Sequence, residues 1–245
     1  MSISVCIVTF NGESFIERQL KSILSQTHLP DEIILLDDFS DDNTVKIAKK
    51  MLQNSGLNFI ILKNIYRLGI NRSFEKCFSK ATSEIIVISD QDDFWFKDRL
   101  LNIKNNFKKN PSIELISLNA FIEVSGIVSK KTVNDHYPYT SSTLINLAKN
   151  RFTGCQIAIK RNFLETLYPF PKDFICYYDH WISQFSLIRK TTMYIDAVQG
   201  YYCRHSKNVT NLVTKSSLVK IFILRSILLS LMIKKYIFLM YKSKF

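Results

Sequence analysis

Three carboxylates, Asp90, Asp92 and Asp93, fall within four positions, directly after the apolar run "IIVIS" and before two aromatics, Phe94 and Trp95. Like charges that close repel by about 1 kcal/mol per pair at 4 Å in water, and by more where water is excluded. Clustered carboxylates are the hard oxygen ligands that Mg²⁺ or Mn²⁺ takes, and such ions are commonly held by one or two protein carboxylates together with substrate phosphates. The chain has neither GxxxxGK[ST] nor GxGxxG, so the phosphate-cradling loops of ATPases and dinucleotide enzymes are missing. An acid edge without a glycine cradle suits a nucleotide diphosphate held through a metal, whose charge would be neutralised as it departs.

The elements that must position these acids are legible as an alternation. "SVCIVT" at 4–9, "DEIILLDD" at 31–38, "NFIILKN" at 58–64 and "EIIVISD" at 84–90 are apolar runs of strand length. Between and after them, helical spacing recurs at 14–27 (Ile16, Leu20, Ile23, Leu24), 43–53, 71–81 and 97–108 (Leu100, Ile103, Phe107). Strands that are apolar throughout and alternate with helices indicate a parallel sheet covered on both faces. The expected fold class is therefore α/β, a Rossmann-like, doubly wound, mostly parallel sheet. Ligands of such sheets bind beyond the carboxyl ends of the strands. Thr9-Phe10-Asn11, Asp37-Asp38 and Asp90 to Asp93 end three strands on one edge, which makes them one expected site.

"SVCIVTFNGESFIERQLKSILSQT", "DEIILLDDFSDDNT" and "SDQDDFW", in this order and at strand ends, resemble glycosyltransferase family 2, which has the GT-A fold. The likeness is strong over 2–108 and weaker to about 211. With "YYDHW" and "YYCRHSKNVT" it is closest to bacterial rhamnosyltransferase-like members that build O-antigen or capsule polysaccharides. The resemblance implies that Thr9, Phe10 and Asn11 line a base and ribose pocket and that Asp38 hydrogen-bonds the pyrimidine. It also implies that Asp90 faces the ribose or sugar, that Asp92 binds Mn²⁺ or Mg²⁺, and that Asp93 contacts the donor or orients its loop. Arg67 would approach the diphosphate and His205 would lie at the diphosphate or metal. Trp95 reads as core.

Past Pro111 the pattern loosens. "IELISLNAFIEVSGIVSK" reads as strand and turn, "KTVNDHYPYTSST" as a polar loop, and "FTGCQIAIKRNFLETL" as a turn at Gly154 and a strand. "ICYYDHWISQFSLI" puts Asp179 just ahead of a helix, where a carboxylate suits the macrodipole. Sugar transfer with inversion also needs a carboxylate to take the acceptor's proton. Relatives carry an acidic pair here; this chain has Tyr178-Asp179, which leaves Asp179 as the expected catalytic base. His28 and His136 read as structural.

Of the net charge of +12, nine Lys or Arg and no Asp or Glu lie between Tyr201 and Phe245, so the rest of the chain is near balance. A nucleic-acid footprint would put the basic face on the folded body, and no nucleic-acid partner is expected. Five cysteines without a CxxC pair fit reduced thiols in a cytosolic compartment, and "MSISVCIVTF" has no basic segment ahead of its apolar run, as a signal peptide would. The last 34 residues have an uncharged run of only eight after Arg225, far short of the ~20 that span a bilayer. Lys220, Lys234, Lys235 and Lys242 share a sector, the pattern of an interfacial helix on an anionic membrane. The expected organisation is a catalytic domain over 1–211, with a nucleotide-sugar half at 1–110 and an acceptor half at 111–211, and a basic amphipathic tail at 212–245. The expected activity is inverting, metal-dependent transfer from dTDP-rhamnose or a UDP-hexose to a lipid-linked saccharide, at the inner face of the bacterial membrane. A nucleotidyltransferase and a non-catalytic nucleotide-sugar binder of the same fold are the alternatives.

Overall fold

The computed structural model describes residues 1–173, 175–205 and 218–242. Its first half alternates β1 (Ile3–Thr9), α1 (Ile16–Leu24), β2 (Glu32–Asp37), α2 (Thr44–Gln53), β3 (Asn58–Lys63), α3 (Ile70–Phe78), β4 (Ile85–Ser89), β5 (Phe94–Trp95) and α4 (Arg99–Lys109). The second half runs β6 (Leu115–Val124), β7 (Ile127–Thr132), α5 (Val133–His136), α6 (Thr143–Ala148), a 3₁₀ turn (Gly154–Gln156), β8 (Ile157–Lys160), α7 (Arg161–Glu165), α8 (Tyr178–Arg189), β9 (Thr192–Arg204) and α9 (Leu218–Lys242).

The strands form one sheet in the order β3-β2-β1-β4-β8-β6-β9-β5, with β7 on β6. β1, β2, β3 and β4 pair in parallel, in registers that set Thr9 beside Asp37 and Ile7 beside Ser89. Their carboxyl ends therefore open on one edge. The second half corrects the expectation of a mostly parallel sheet. β8 runs antiparallel to both β4 and β6, β7 to β6 and β5 to β9, while β6 and β9 are parallel, so the sheet is mixed.

The uninterrupted apolar runs follow from burial on two faces. Along β1 and β2, Val5, Ile7, Ile33 and Leu35 pack against α1, α2 and α4, whereas Cys6, Ile34 and Leu36 face the opposite way, toward α3 and α8. β3 lies at the sheet's edge and alternates between exposed and half-buried positions.

Three further expectations are adjusted. The segment read as a polar loop holds the end of β7 and a one-turn helix, α5, closed by a capping box between Thr132 and Asp135. Asp179 sits within the first turn of α8, not ahead of it. The tail helix α9 shares the body's core, burying Leu228 and Met232 in the cluster of α3 and α8, and Arg225 donates to the Ala148 carbonyl at 3.1 Å. Its other side exposes Phe222, Ile223, Ile233, Ile237 and Phe238. Among the described residues, no helix is long and apolar enough to cross a membrane.

Candidate active site

At the end of β1 the chain is pinned to its neighbours. The Thr9 hydroxyl donates to Asp37 Oδ1 at 2.9 Å, and the Ser40 amide donates to Asp37 Oδ2 at 2.8 Å. Asn11 takes a left-handed conformation with φ 46°, tolerated by Asn. Its amide donates to Ser40 Oγ at 2.9 Å and its side-chain oxygen accepts from the Asp41 amide at 3.1 Å. Gln91, between the acids, accepts from the Phe10 amide at 2.9 Å and donates to the Phe10 carbonyl at 3.0 Å. That pair of bonds ties the acid loop to the end of β1. A Cβ at Gly12 would overlap the Gln91 side chain, so the close approach requires glycine.

Of the residues expected to bind a nucleotide, Phe10, Asn11 and Arg67 stand at this surface. The Arg67 guanidinium lies 3.8 Å from the Phe10 ring centroid, a cation–π contact. Thr9 is 1% exposed and Asp38 is 4% exposed. Asp38 accepts from Asn64 Nδ2 at 2.9 Å, from the Leu68 amide at 2.8 Å and from the Gly69 amide at 3.1 Å. In this conformation Asp38 shapes the turn that follows Arg67.

The acid triplet divides in two. Asp92 Oδ2 and His205 Nε2 are 2.7 Å apart, and the His205 ring stacks on Phe15 at 4.1 Å and 8°. Asp90 and Asp93 instead meet Cys155, with one ligand atom from each of the three within 4.8 Å of one another. Asp93 Oδ1 accepts from the Cys203 amide at 3.1 Å, and Oδ2 has no hydrogen-bond partner among the described residues. Burial raises Asp90 well above the ordinary carboxylate range, with repulsion from Asp93 and Asp92 adding to it. Burial and then Asp92 push Asp93 up to about 7. Asp92 is also raised by burial, against the opposing pull of His205. These carboxyls hold protons more tightly than free ones because burial disfavours the charged form, with neighbouring acids adding repulsion at Asp90 and Asp93.

Arg99, fully buried at the start of α4, is a counter-charge to Asp93. It donates to the Cys155 carbonyl at 2.6 Å and to Gln156 Oε1 at 2.9 Å, with its guanidinium 4.6 Å from the ring of the core residue Trp95. Burial lowers it to about 10, so it is cationic at neutral pH. The donor set fits a divalent ion. Asp92 and His205 offer oxygen and nitrogen side by side, and the unpartnered Asp93 oxygen is a buried acceptor of the kind a cation satisfies.

Asp179 is brought to the same region by a separate set of contacts. Asn71 of α3 donates to the Pro171 and Cys176 carbonyls at 2.9 and 2.8 Å and accepts from the Tyr178 amide at 2.7 Å. The buried Tyr178 ring packs at a tilt against Phe74, and a Cβ at Gly154 would overlap its hydroxyl. Asp179 lies close enough to Asp90 to raise its proton affinity further. Burial raises Asp179 itself to about 6, against donation from the His180 amide, the Asn150 side chain and the Gly154 amide. His180 is turned away, its Nε2 2.7 Å from the Asn146 carbonyl, and burial lowers it to about 4.

Asp179, the base expected from the sequence, could not accept a proton once protonated below about pH 6. Activity is therefore expected to rise as pH increases through about 6 and then level off. In Asn150→Ala, which removes one donor that favours the ionised form, the midpoint is expected to move upward. A pH–rate profile for both proteins checks this; a rate independent of pH across that window contradicts it.

Sequence reasoning missed Gln91, Arg99, Asn150 and Cys155. Gln91 lay in plain view inside the acid triplet. Arg99 follows the triplet by six residues, Asn150 and Cys155 come from segments with no acidic signature, and the pairing of β8 with β4 brings Cys155 to the acids.

The mixed sheet, with acids at the carboxyl ends of its parallel strands, defines an α/β Rossmann-like domain with a GT-A-type core. The chain belongs to glycosyl transferase family 2, whose model matches residues 4–191. It is 28% identical over 225 residues to a dTDP-rhamnosyl transferase, RfbG, of Shigella flexneri, covering 82% of this chain and 72% of the relative. It is 27% identical over 170 residues to the Escherichia coli UDP-Glc:alpha-D-GlcNAc-diphosphoundecaprenol beta-1,3-glucosyltransferase WfgD, covering 69% of this chain and 64% of the relative. Among solved structures, TarS 1–349 of S. aureus in complex with UDP-GlcNAc superposes with a TM-score of 0.72 at 18% identity, over 93% of this chain and 66% of that one. The mannosyltransferase PcManGT of Pyrobaculum calidifontis, in complex with GDP-Man and Mn²⁺, superposes with a TM-score of 0.66 at 22% identity, over 84% of this chain and 57% of that one. The chain thus spans less than two thirds of the length of the last three proteins.

Proposed function

We propose that this protein is an inverting, metal-dependent glycosyltransferase. It moves rhamnose or a hexose from dTDP-rhamnose or a UDP-hexose to a lipid-linked saccharide in the synthesis of a bacterial surface polysaccharide. The observation that carries the reading is the convergence of two strand ends and the first turn of α8: Phe10 and Asn11 after β1, Asp90 and Asp92 after β4, and Asp179 near Asp90. Family membership supports the reaction class, and the names of the Shigella and Escherichia coli relatives support the donor and acceptor classes.

In this reading Phe10, Asn11 and Arg67 hold the nucleotide, with Arg67 moving off the Phe10 face to meet the diphosphate. Asp92 and His205 would hold Mn²⁺ or Mg²⁺, which supplies charge neutralisation for the diphosphate. Asp179 takes the proton of the acceptor hydroxyl as that oxygen bonds to the anomeric carbon. The bond from that carbon to the diphosphate breaks on the opposite face, its electron pair leaving with the diphosphate, so the configuration inverts. The half-buried setting that raises Asp179 makes it a stronger base than a free carboxylate.

The tail completes the proposal. The exposed apolar side of α9 supports an interfacial position on an anionic membrane, which would place the protein at the cytoplasmic face near a lipid-linked acceptor. Flotation with anionic vesicles is expected to carry the protein upward; equal recovery with zwitterionic vesicles would contradict the anionic contact. The transfer itself is tested with labelled dTDP-rhamnose and UDP-hexoses against a bacterial lipid extract. Labelled lipid that needs a divalent ion and is lost in Asp92→Ala is expected. Transfer that survives both chelation and Asp92→Ala excludes the metal-dependent mechanism.

A further inference from the structure

We infer, on the reading that the protein transfers sugar, that Arg151 and Thr153 form a subsite for an anionic oxygen group of the acceptor, a carboxylate or a phosphate. The two residues line a small pocket together with Asn119 and Gln156. Tyr139 and Tyr194 wall it, their rings stacked at 4.7 Å and 9°. Its volume is about 10 Å³, so it admits a terminal oxygen group, while a sugar ring would lie at its mouth. The segment that carries Arg151 and Thr153 also holds the expected base. Asn150 and Gly154, which flank them in sequence, donate to Asp179. The Arg151 amide donates to Asn146 Oδ1 at 2.9 Å, and Asn146 Nδ2 donates to Gln184 of α8 at 2.9 Å. The pocket is thereby fixed to the helix that carries Asp179.

The charge in the pocket points to the ligand. The Arg151 guanidinium makes no hydrogen bond and no ion pair among the described residues, and its Nε is shut off from solvent. A buried donor without an acceptor costs its desolvation, and folded proteins pair nearly all such groups. The nearby carboxylate, Asp196, is engaged elsewhere: its Oδ1 accepts from the Tyr194 hydroxyl at 2.8 Å and from Asn119 Nδ2 at 3.3 Å. Thr153 adds a hydroxyl that makes no hydrogen bond among the described residues. Arg151 as a whole is half-buried, so a ligand reaches the guanidinium from solvent. A guanidinium presents its donors as a planar fork that matches a carboxylate or a phosphate. An anion seated there supplies the missing acceptor and the missing charge. A neutral hydroxyl supplies only the first.

Titration of the whole protein with methyl glucuronoside, glucose 1-phosphate and neutral methyl glucoside, without divalent ions and read by saturation-transfer NMR, tests this. One of the two anionic sugars is expected to bind about tenfold or more tightly than the neutral one, the worth of a charge-assisted hydrogen bond. Preference for the glucuronoside assigns the anion to an acidic sugar of the acceptor; preference for the phosphate assigns it to the acceptor's diphosphate end. Arg151→Gln is expected to abolish the preference and Arg151→Lys to keep part of it, with the melting temperature unchanged because the side chain makes no bond. No binding by either anion, equal affinity for the neutral sugar, or a preference that Arg151→Gln retains overturns the proposal. Binding of dTDP or UDP, measured on the same variants, reads the donor site separately. Anion preference lost with nucleotide binding intact in the wild type removes the subsite alone, and the reverse removes the transfer reading.

Discussion

Replacing Asp179 with Asn is expected to lower the turnover number by roughly 10²–10⁴-fold, the usual worth of a positioned general base. Asparagine keeps the volume and can still accept from the His180 amide, which now donates to Asp179 Oδ1 at 2.7 Å. It cannot take a proton at neutral pH. KM for the donor is expected to change little, because in the proposed mechanism the carboxylate acts on the acceptor hydroxyl, and the melting temperature should hold or rise once a half-buried charge is removed. Steady-state kinetics beside a melting curve separate these effects. Full turnover in a cooperatively folded Asp179→Asn protein removes the residue from the mechanism. His180 would not take over, since its Nε2 is engaged by the Asn146 carbonyl.

The largest effect on stability is expected at Arg99. Its guanidinium is fully buried, bonds the Cys155 carbonyl and the Gln156 side chain, and opposes the rise in the proton affinity of Asp93. Arg99→Met fills much of the same space but leaves two acceptors without donors and a buried acid without an opposing charge. Removing one partner from a buried ionic arrangement costs about 3–5 kcal/mol. In a chain of this size each kcal/mol shifts the melting temperature by about 2–4 °C, so a fall of roughly 10 °C or more is expected by calorimetry. A change within a degree or two would mean that Asp93 stays neutral and that Arg99 serves only as packing.

The positions that sequence made legible share a physical cause. β1, β2 and β4 are buried on both faces, so they read as unbroken apolar runs, and the polar groups at their ends mark the carboxyl edge without further information. α1, α3 and α4 each bury a single stripe and show the helical period. The second half lacks those signals. β8 is only four residues long, β6 is parallel to one neighbour and antiparallel to two others, and α5 is one turn within a polar segment. Their placement is set by pairing over long sequence separations, which no local pattern encodes. The tail's lysine sector reads as the headgroup side of an interfacial helix; in the structure α9 is apolar around most of its circumference, and Leu228 and Met232 take one side into the body while the other stays exposed. Lys235, counted in that sector, donates to the Tyr168 carbonyl of the body.

The candidate site was legible where it consists of strand-end acids and hidden where it depends on what packs behind them. Asp90, Asp92 and Asp93 could be named from one short stretch. The resemblance sets His205 beside Asp92 at the metal or diphosphate, whereas the Asp90–Asp93–Cys155 cluster could not be named, because Cys155 arrives from an element more than sixty residues away. The same holds for Asp38, expected to point at a base and found bonded to the turn after Arg67.

The central claim is that the acid edge binds a nucleotide diphosphate through a divalent ion. Calorimetric titration of dTDP, UDP and GDP into the wild type and Asp92→Ala, each with and without Mn²⁺, tests it most directly. Binding of dTDP or UDP that requires Mn²⁺ and is lost in Asp92→Ala is the expected result. Absence of binding by all three at millimolar concentration, in a wild-type sample that melts cooperatively, would contradict the claim.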